Sequence, residues 1–182
     1  MNTNTNNAAL TISQALRRTK KLKGRMGELT ARASASVSYL PSAKPAFDFK
    51  ATRAEVEKVR EELIALESSV AKANATTSID FDGKSMTLAV AIRRLQECKA
   101  EIAWLTQLAL RSGTERHREM GFDQETGRNN FAYVEVVYVS DLTEVERVGE
   151  LDKLRDRFER LNDLVETANH RTATDCKESV KE

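Results

Sequence analysis

The chain has 182 residues, of which 40% are hydrophobic, 31% are charged and 5% are aromatic, with two prolines and seven glycines. This composition is typical of one helical domain and argues against a many-stranded β fold. The formal net charge of +1 excludes a strong overall field that would attract nucleic acid or a membrane surface. The two cysteines, Cys98 and Cys176, are far apart in sequence and indicate neither a disulfide framework nor a metal cluster.

The two ends of the chain carry weak structural signals. Residues 1–10 lack the basic and apolar regions of a signal peptide, and we expect them to form a disordered lead. Residues 176–182 are polar and are expected to form a flexible tail. No run of residues approaches the length of an apolar membrane span. With cysteines that suit a reducing compartment, these features predict a cytoplasmic protein that does not enter membranes.

Residues 11–175 contain an internal duplication. Residues 11–29 align without gaps on residues 87–105, and residues 58–80 align on residues 153–175. We therefore predict a single domain made of two tandem repeats, residues 11–80 and 87–175, each with a helix, a connection and a second helix. The identical pairs include Thr11/Thr87, Arg17/Arg93, Arg18/Arg94, Asn74/Asn169, Thr77/Thr172 and Asp80/Asp175.

The apolar residues of four segments alternate spacings of three and four, which is the heptad pattern of helices packed at shallow angles. Threonines mark the expected helix starts. A capping box, in which the threonine is followed three residues later by Glu or Gln, occurs at Thr11, Thr52 and Thr143, and Thr87 has only the hydroxyl half. The predicted helices lie near residues 11–32, 52–74, 87–111 and 143–169.

The connections between the helices have a different composition. Residues 129–141 are rich in β-branched and aromatic side chains and predict a strand after a long glycine-containing loop. Residues 36–49 predict two short strands about a proline-bounded turn, and Asp82-Gly83 predicts the turn that joins the two halves. The expected fold is mainly α with a small β element, in which two helical hairpins form an antiparallel four-helix bundle and a β excursion projects at one end.

Each second helix is predicted to end in the sequence Ala-Asn-x-x-Thr, at Asn74 and Asn169. One interpretation is a duplicated cap, with each asparagine in the left-handed conformation that terminates a helix. The other is a ligand site, because an antiparallel hairpin brings the end of its second helix near the arginine pair at the start of its first. Guanidinium groups bind phosphate or carboxylate, and amides and hydroxyls orient the ligand. The candidate ligand-binding residues are Arg17, Arg18, Asn74, Thr76, Thr77, Arg93, Arg94, Asn169, Arg171 and Thr172.

The charged residues near these arginines allow other interpretations. Asp80 and Asp175 could be their ion-pair partners. The segment 17–25 has six positive residues in nine and could bind nucleic acid or lipid, or it could be a solvated face balanced by the acidic residues of 55–67. The balanced face is favoured because the second repeat loses this charge and no aromatic residues for base stacking lie nearby. This argues against nucleic acid as a partner.

Catalytic signals are weak in this sequence. Neither a glycine-rich phosphate loop, nor a cysteine–histidine nucleophile pattern, nor a metal-ligand spacing is present. His117 and His170 are interpreted as solvated, and His170 is not duplicated because Ala75 occupies the equivalent position. We therefore expect a protein that is not an enzyme and that has neither a cofactor nor a metal.

Residues 73–94 (ANATTSIDFDGKSMTLAVAIRR) and 154–169 (LRDRFERLNDLVETAN) resemble the septicolysin-like family of small, uncharacterised bacterial helical proteins. The most specific element is Asn-x-x-Thr followed by Asp-Gly, Thr and Ala-x-Arg-Arg. The resemblance covers residues 11–175. It implies a helical hairpin fold with a β excursion and an oligomeric state, and it carries no functional residues.

These observations lead to a functional hypothesis with two alternatives. We expect a non-enzymatic, homo-oligomeric protein that holds or sequesters a small anionic ligand of nucleotide type. The first alternative is a structural or protein-binding helical bundle, and the second is a phosphate-ester hydrolase. Oligomerisation is expected because a small β ribbon leaves unpaired edges. The expected contact residues are the aromatic side chains Phe47, Phe49, Tyr133 and Tyr138.

Overall fold

The structure is a computed structural model that describes residues 9–125 and 127–177, and it is mainly helical with small antiparallel strand pairs. The helices are α1 (Ile12–Ser36), α2 (Phe49–Thr76), α3 (Leu88–Gln107) and α4 (Glu144–Arg171). The strands are β1 (Ala9–Thr11), β2 (Ser78–Phe81), β3 (Lys84–Thr87), β4 (Gly113–Asp123), β5 (Arg128–Tyr138) and β6 (Ala173–Lys177). They form the antiparallel pairs β1–β6, β2–β3 and β4–β5. No helix in the described ranges is long and apolar enough to cross a membrane.

The contacts divide the chain into two compact units. The first, which we call the helical unit, comprises the described residues up to 95 together with those from 160 onward. It holds α1, α2, the first residues of α3, the last residues of α4, and the strand pairs β1–β6 and β2–β3. The second, the hairpin unit, comprises residues 96–159 and includes the β4–β5 hairpin.

The heptad pattern of the sequence correctly predicts the four helices and the residues that they bury. All six predicted core positions of α2 are buried, and the other three helices follow the same pattern with some half-buried positions. In the helical unit, residues from all four helices join one core cluster. The buried side chains of α2 are Val56, Val59, Leu63, Leu66, Val70 and Ala73.

Three of the four predicted helix starts are confirmed. The capping boxes at Thr11 and Thr143 are formed, and the main-chain nitrogen of Val90 donates to the Thr87 hydroxyl over 3.4 Å. At Thr143 the hydrogen bonds from its main chain and hydroxyl lower the pKa of the Glu146 carboxyl. The prediction of a cap at Thr52 is wrong, because Asp48 caps α2 by accepting from the Ala51 nitrogen over 2.7 Å.

The predicted connections need two corrections. Residues 36–49 contain no strand, because Ser36 ends α1, Phe49 begins α2, and residues 37–48 between them form turns and bends. The segment 113–123, predicted as part of a long loop, is β4 and pairs along its whole length with β5. The predicted strand in 129–141 is confirmed as β5. A segment of strand-like composition forms a strand only where a partner strand is available. The β4 and β5 segments pair with each other, and residues 36–49 have no partner strand in the described chain.

The predicted Asp-Gly turn is confirmed between β2 and β3. Asp82 and Gly83 both have positive φ angles, 49° and 73°, as the tight turns that suit antiparallel hairpins require. A side chain at Gly83 would therefore strain the backbone.

The β1–β6 pair was not expected from the sequence. Ala9 and Leu10, assigned to the predicted lead, belong to β1, and Cys176 and Lys177, assigned to the predicted tail, belong to β6. Leu10 is 6% exposed and joins the core, and the buried Thr174 hydroxyl donates to its carbonyl over 2.9 Å. Residues 1–8 and 178–182 lie outside the described residues.

The two strand pairs of the helical unit occupy equivalent places in the two repeats. Thr87 pairs with Ser78, and the equivalent Thr11 pairs with Ala173. The main-chain nitrogen of Leu88 donates to the Thr77 carbonyl over 2.9 Å, and the nitrogen of Ile12 donates to the Thr172 carbonyl over 3.0 Å. The β1–β6 pair is thus the counterpart of the β2–β3 hairpin, formed by two strands that are distant in sequence.

One strand of each pair lies against the second helix of the repeat to which that strand does not belong. Strand β6 of the second repeat lies against α2, and β2 of the first repeat lies against α4. The Cys176 thiol in β6 faces the Ala65 carbonyl of α2 at 3.7 Å. At the equivalent positions, the Arg160 guanidinium of α4 lies 5.5 Å from the centre of the Phe81 ring in β2. The two repeats are therefore interlocked at this end of the helices.

Shortening Leu10 tests whether β1 is part of the folded core. We expect Leu10→Ala to lower the free energy of unfolding by about 3 kcal/mol, as for other buried leucines. Leu40→Ala is the control, because Leu40 is 70% exposed in the α1–α2 connection and its loss should have little effect. Urea denaturation followed by circular dichroism measures both. Equal stability of Leu10→Ala and the wild type would contradict the assignment of β1 to the core.

Candidate functional site

The two asparagines of the repeated sequence are not helix terminators. Asn74 lies inside α2, which continues to Thr76, and Asn169 lies inside α4, which continues to Arg171. Among the described non-glycine residues, a positive φ angle occurs at Asp82 and at neither asparagine. Thr77 is the residue that ends α2, with an extended backbone (φ −81°, ψ 127°). The expectation of a left-handed asparagine cap is therefore wrong.

Both asparagine side chains have a buried oxygen without a partner. The Oδ1 atoms of Asn74 and Asn169 are out of contact with solvent and accept no hydrogen bond from the described part of the chain. Asparagine is also a poorer helix former than alanine. Because an unpaired buried carbonyl costs free energy, neither side chain is explained by the stability of the helix alone.

The threonines of the repeated sequence have structural roles. The Thr76 hydroxyl donates to the Lys72 carbonyl of its own helix over 3.0 Å. Thr77 and Thr172 act through their main chains. Their nitrogens close the last turns of α2 and α4 by bonding to Ala73 and Ala168 over 2.9 and 2.8 Å, and their carbonyls receive the first amides of α3 and α1.

The two arginines of the α1 pair, Arg17 and Arg18, have different surroundings. Arg18 is half-buried and forms an ion pair with Glu62 of α2, with 3.0 Å from its Nε to the Glu62 Oε1. Arg17 is exposed and forms no ion pair with any described residue. Its guanidinium is 3.4 Å from the Ser13 hydroxyl. Counting the heptad from the core position Ile12 predicts the same contrast, with Arg18 beside the core and Arg17 pointing outward, and the structure confirms it for this pair.

The basic segment of α1 is balanced by the acidic face of α2. Lys23 pairs with Glu67 at 2.8 Å, and Arg25 approaches Glu55 at 3.9 Å, in addition to the pair made by Arg18. This supports the interpretation of residues 17–25 as a balanced, solvated face.

The aspartates after the helices do not pair with the arginines as one interpretation suggested. Asp175 accepts from the Lys72 ammonium over 2.6 Å, and this hydrogen bond raises the pKa of Lys72. Asp80 is exposed in β2, opposite Ser85. Within the described ranges, histidines, cysteines and carboxylates form no cluster that could hold a metal ion.

One cleft brings together predicted and unpredicted residues, and we call it the α1–α4 cleft. It has a volume of about 370 Å³ and is shallow and widely open to solvent. Arg17 and Asn169, both predicted as ligand-binding residues, lie in its wall beside His170. Its lining residues are Ser13, Leu16 and Arg17 of α1 and Glu166, Asn169 and His170 of α4.

Two further depressions adjoin this cleft. One, of about 510 Å³, lies along α4, and the predicted residue Arg171 lines it together with Glu166 and His170. The other, of about 240 Å³, lies along α1, where Arg17, Arg18 and Lys21 line it.

The predicted residues at the equivalent positions, on α3 and α2, have different surroundings. Arg93 and Arg94 are exposed on α3, and Asn74 lies at the end of α2. Three polar groups of the α1–α4 cleft have no polar counterpart there, since alanines occupy the equivalent positions. The replacements are Ser13 by Ala89, Glu166 by Ala71 and His170 by Ala75.

Ser13, Glu166 and His170 were not among the predicted site residues, because the prediction rested on duplicated positions and these three are not duplicated. A different signal was present. Ser13, Leu16 and Arg17 have spacings of three and four, as do Glu166, Asn169 and His170, so each set shares one face of its helix. Their proximity depends on the packing of α1 beside α4, which connects residues more than 150 positions apart and has no local signature.

Comparisons with known proteins bear on the fold and on the family. A comparison with curated proteins gave no match. The structure is similar to that of a functionally unknown conserved protein from Corynebacterium diphtheriae, with a TM-score of 0.67 over 92% of this chain and 99% of that chain. The two sequences are 18% identical, so the likeness concerns the fold alone. A family model described as "Family of unknown function (DUF6847)" matches residues 19–174. The match extends over most of the chain, and the chain therefore belongs to this family, DUF6847.

Proposed function

We propose that the protein is a non-enzymatic, oligomeric helical protein that holds a small anionic ligand of nucleotide type in the α1–α4 cleft. The observation that carries the proposal is the meeting of Arg17, Asn169 and His170 in one cleft. Its volume of about 370 Å³ is within the range of small-molecule sites. The antiparallel four-helix bundle predicted from the sequence would be the scaffold, with the interlocked strand pairs fixing the helix ends beside the cleft.

Arg17 supplies the binding of the anionic group. Its neighbour Arg18 is neutralised by Glu62, whereas Arg17 has no carboxylate partner among the described residues. An exposed guanidinium offers several donors in a planar fork that matches phosphate or carboxylate. His170 adds a ring nitrogen from the other wall, and Ser13 adds a hydroxyl that already lies within reach of Arg17.

The rest of the cleft requires a ligand that also donates hydrogen bonds. Glu166 lies in the same wall, and its Oε1 accepts from the Asn162 amide over 3.0 Å. A carboxylate next to the site repels a simple anion but accepts hydrogen bonds from amino or hydroxyl groups. A nucleotide combines a phosphate with such donors. The terminal torsion of Asn169 is soft, so a small rotation would present its unpaired oxygen to the ligand.

Retention without turnover is the expected behaviour. The Ser13 hydroxyl of the lining accepts from Arg17, and no described residue pairs with it as a base in the way that covalent catalysis by a serine requires. Mass spectrometry of small molecules released from the purified protein tests this directly. An intact nucleotide or related phosphate compound supports the proposal, and a released hydrolysis product would favour the phosphate-ester hydrolase instead.

Replacing Asn169 by alanine tests whether this residue contributes to the stability of the fold or to ligand binding. We expect Asn169→Ala to raise the free energy of unfolding by about 1 kcal/mol, because it removes an unpaired buried carbonyl and introduces a better helix former. The same variant should lose ligand affinity. Asn74→Ala is the matched control, since it makes the same change in the other repeat and should raise stability without affecting binding. A loss of stability in both variants would show that the asparagines are structural.

Replacing Arg17 tests the anionic contact. We expect Arg17→Ala to weaken the binding of adenosine monophosphate at least tenfold, since a hydrogen bond to a charged group contributes about 1.5–3 kcal/mol. Arg93→Ala, at the equivalent position of the other repeat, should leave affinity unchanged. Isothermal titration calorimetry measures both, and the wild type should bind one ligand per chain. Equal losses in the two variants, or two ligands per chain, would place the ligand outside the α1–α4 cleft.

A further inference from the structure

The β4–β5 hairpin carries an apolar surface on one of its two faces. The register pairs Met120 with Phe131 and Arg118 with Tyr133, so their side chains share a face. Five large apolar side chains on this face, which we call the outer hairpin face, are between 53% and 70% exposed. They are Met120, Phe122, Phe131, Tyr133 and Val137.

The opposite face of the hairpin is better covered and more polar. Tyr138 and His117 are half-buried there, with 3.1 Å between the tyrosine hydroxyl and the histidine Nε2. The Arg111 guanidinium lies 5.3 Å from the Tyr138 ring and donates to its hydroxyl over 3.3 Å. The exposed apolar side chains are therefore concentrated on the face that has no covering within the described chain.

The charges on the outer hairpin face are largely satisfied within one copy. Arg116 pairs with Glu135 across the strands at 3.2 Å. The Arg118 guanidinium lies 3.5 Å from the centre of the Phe131 ring, where the ring face attracts a cation. Among the described charged side chains of this face, Arg118 is the one that lacks a carboxylate partner. The outer hairpin faces of two copies could therefore approach each other without strong electrostatic repulsion.

The exposed area is sufficient for a specific interface between two copies. With about 150–250 Å² for each large side chain, the five exposed residues present roughly 650 Å². Two copies that cover each other would remove roughly 1,300 Å² from water, which lies in the range of specific protein interfaces. A two-stranded hairpin is also marginal without a second layer on its apolar face.

We infer that the outer hairpin face is the interface of a homodimer, in which the hairpins of two copies pack face to face about a twofold axis. A twofold interface requires one surface that is complementary to itself, and a mostly apolar face with an internal ion pair meets this requirement. This inference deepens the oligomeric part of the proposed function. It keeps Tyr133 as a contact residue and places Tyr138 on the opposite face and Phe47 and Phe49 in the helical unit.

The test places a charge at the centre of the face. Tyr133→Glu should convert a dimer of two 20.4 kDa chains into a monomer, because it removes the aromatic ring at the centre of the face and pairing would have to desolvate two carboxylates. An ion pair with the opposite Arg118 does not prevent this, since the cost of desolvating a buried ion pair can exceed its Coulombic gain. Tyr133 is 70% exposed in the single copy, so the substitution should leave folding intact, which circular dichroism and thermal melting verify. Val145→Glu is the control, since Val145 is 82% exposed at the start of α4 and outside the hairpin. Analytical ultracentrifugation of the full chain at micromolar concentration measures the three masses.

The expected result is a dimer for the wild type and for Val145→Glu and a monomer for Tyr133→Glu. A monomeric wild type would overturn the inference and assign the face to another occupant, such as a lipid surface or a different protein. A dimer that survives Tyr133→Glu would also overturn it, because the interface would then lie elsewhere. Titration of the monomeric variant with adenosine monophosphate keeps the ligand proposal separate, since its cleft lies in the helical unit and should still bind.

Discussion

The fold depends on two equivalent main-chain hydrogen bonds, from Ile12 to Thr172 and from Leu88 to Thr77. The first amides of a helix have no partner within that helix, so each bond satisfies a group that would otherwise need water. Each bond also ties the start of a first helix to the end of a second helix. The adjoining strands β6 and β2 contact α2 and α4 of the opposite repeat. The two bonds therefore hold the four helix ends in one arrangement. The α1–α4 cleft is formed by that arrangement.

Local signals in the sequence predicted the helices well and the strands poorly. The heptad spacing identified all four helices within a few residues, because burial of one face determines both the pattern and the structure. The β1–β6 pair had no such signal, since its strands lie at opposite ends of the chain. Residues 36–49 had suitable strand composition but no partner. Asp48 rather than Thr52 caps α2, which shows that two nearby capping residues cannot be ranked by sequence alone.

The candidate site was only partly predictable, because it is formed by helices that are distant in sequence. Packing within each helical hairpin predicted Arg17 near Asn74 and Arg93 near Asn169, whereas the α1–α4 cleft places Arg17 beside Asn169 of the other repeat. The sequence did not reveal that α1 and α4 would form the cleft or that Glu62 of α2 would neutralise Arg18. His170 was set aside since it is not duplicated, although a site that has diverged in one repeat is expected to contain residues of this kind.

The two repeats have kept the same framework and diverged in chemistry. The positions that form the helix starts and strand pairs are similar in both, as Thr11 and Thr87 illustrate. Three polar residues of the α1–α4 cleft, Ser13 from the first repeat and Glu166 and His170 from the second, have alanines at the equivalent positions. The β4–β5 hairpin is inserted in the second repeat alone. This division is consistent with one ligand site and one dimer interface per chain, supported by a framework built twice.

Amide hydrogen exchange at Ile12 and Leu88 tests this framework most directly. Both amides should be protected to a similar degree, since each donates to a threonine carbonyl beyond the end of another helix. The protection of Ile12 is the informative value, because it requires β1 and β6 to be paired in solution. Exchange of Ile12 at the rate of an unstructured chain, with Leu88 still protected, would show that the chain ends do not close and would contradict the equivalence of the two repeats.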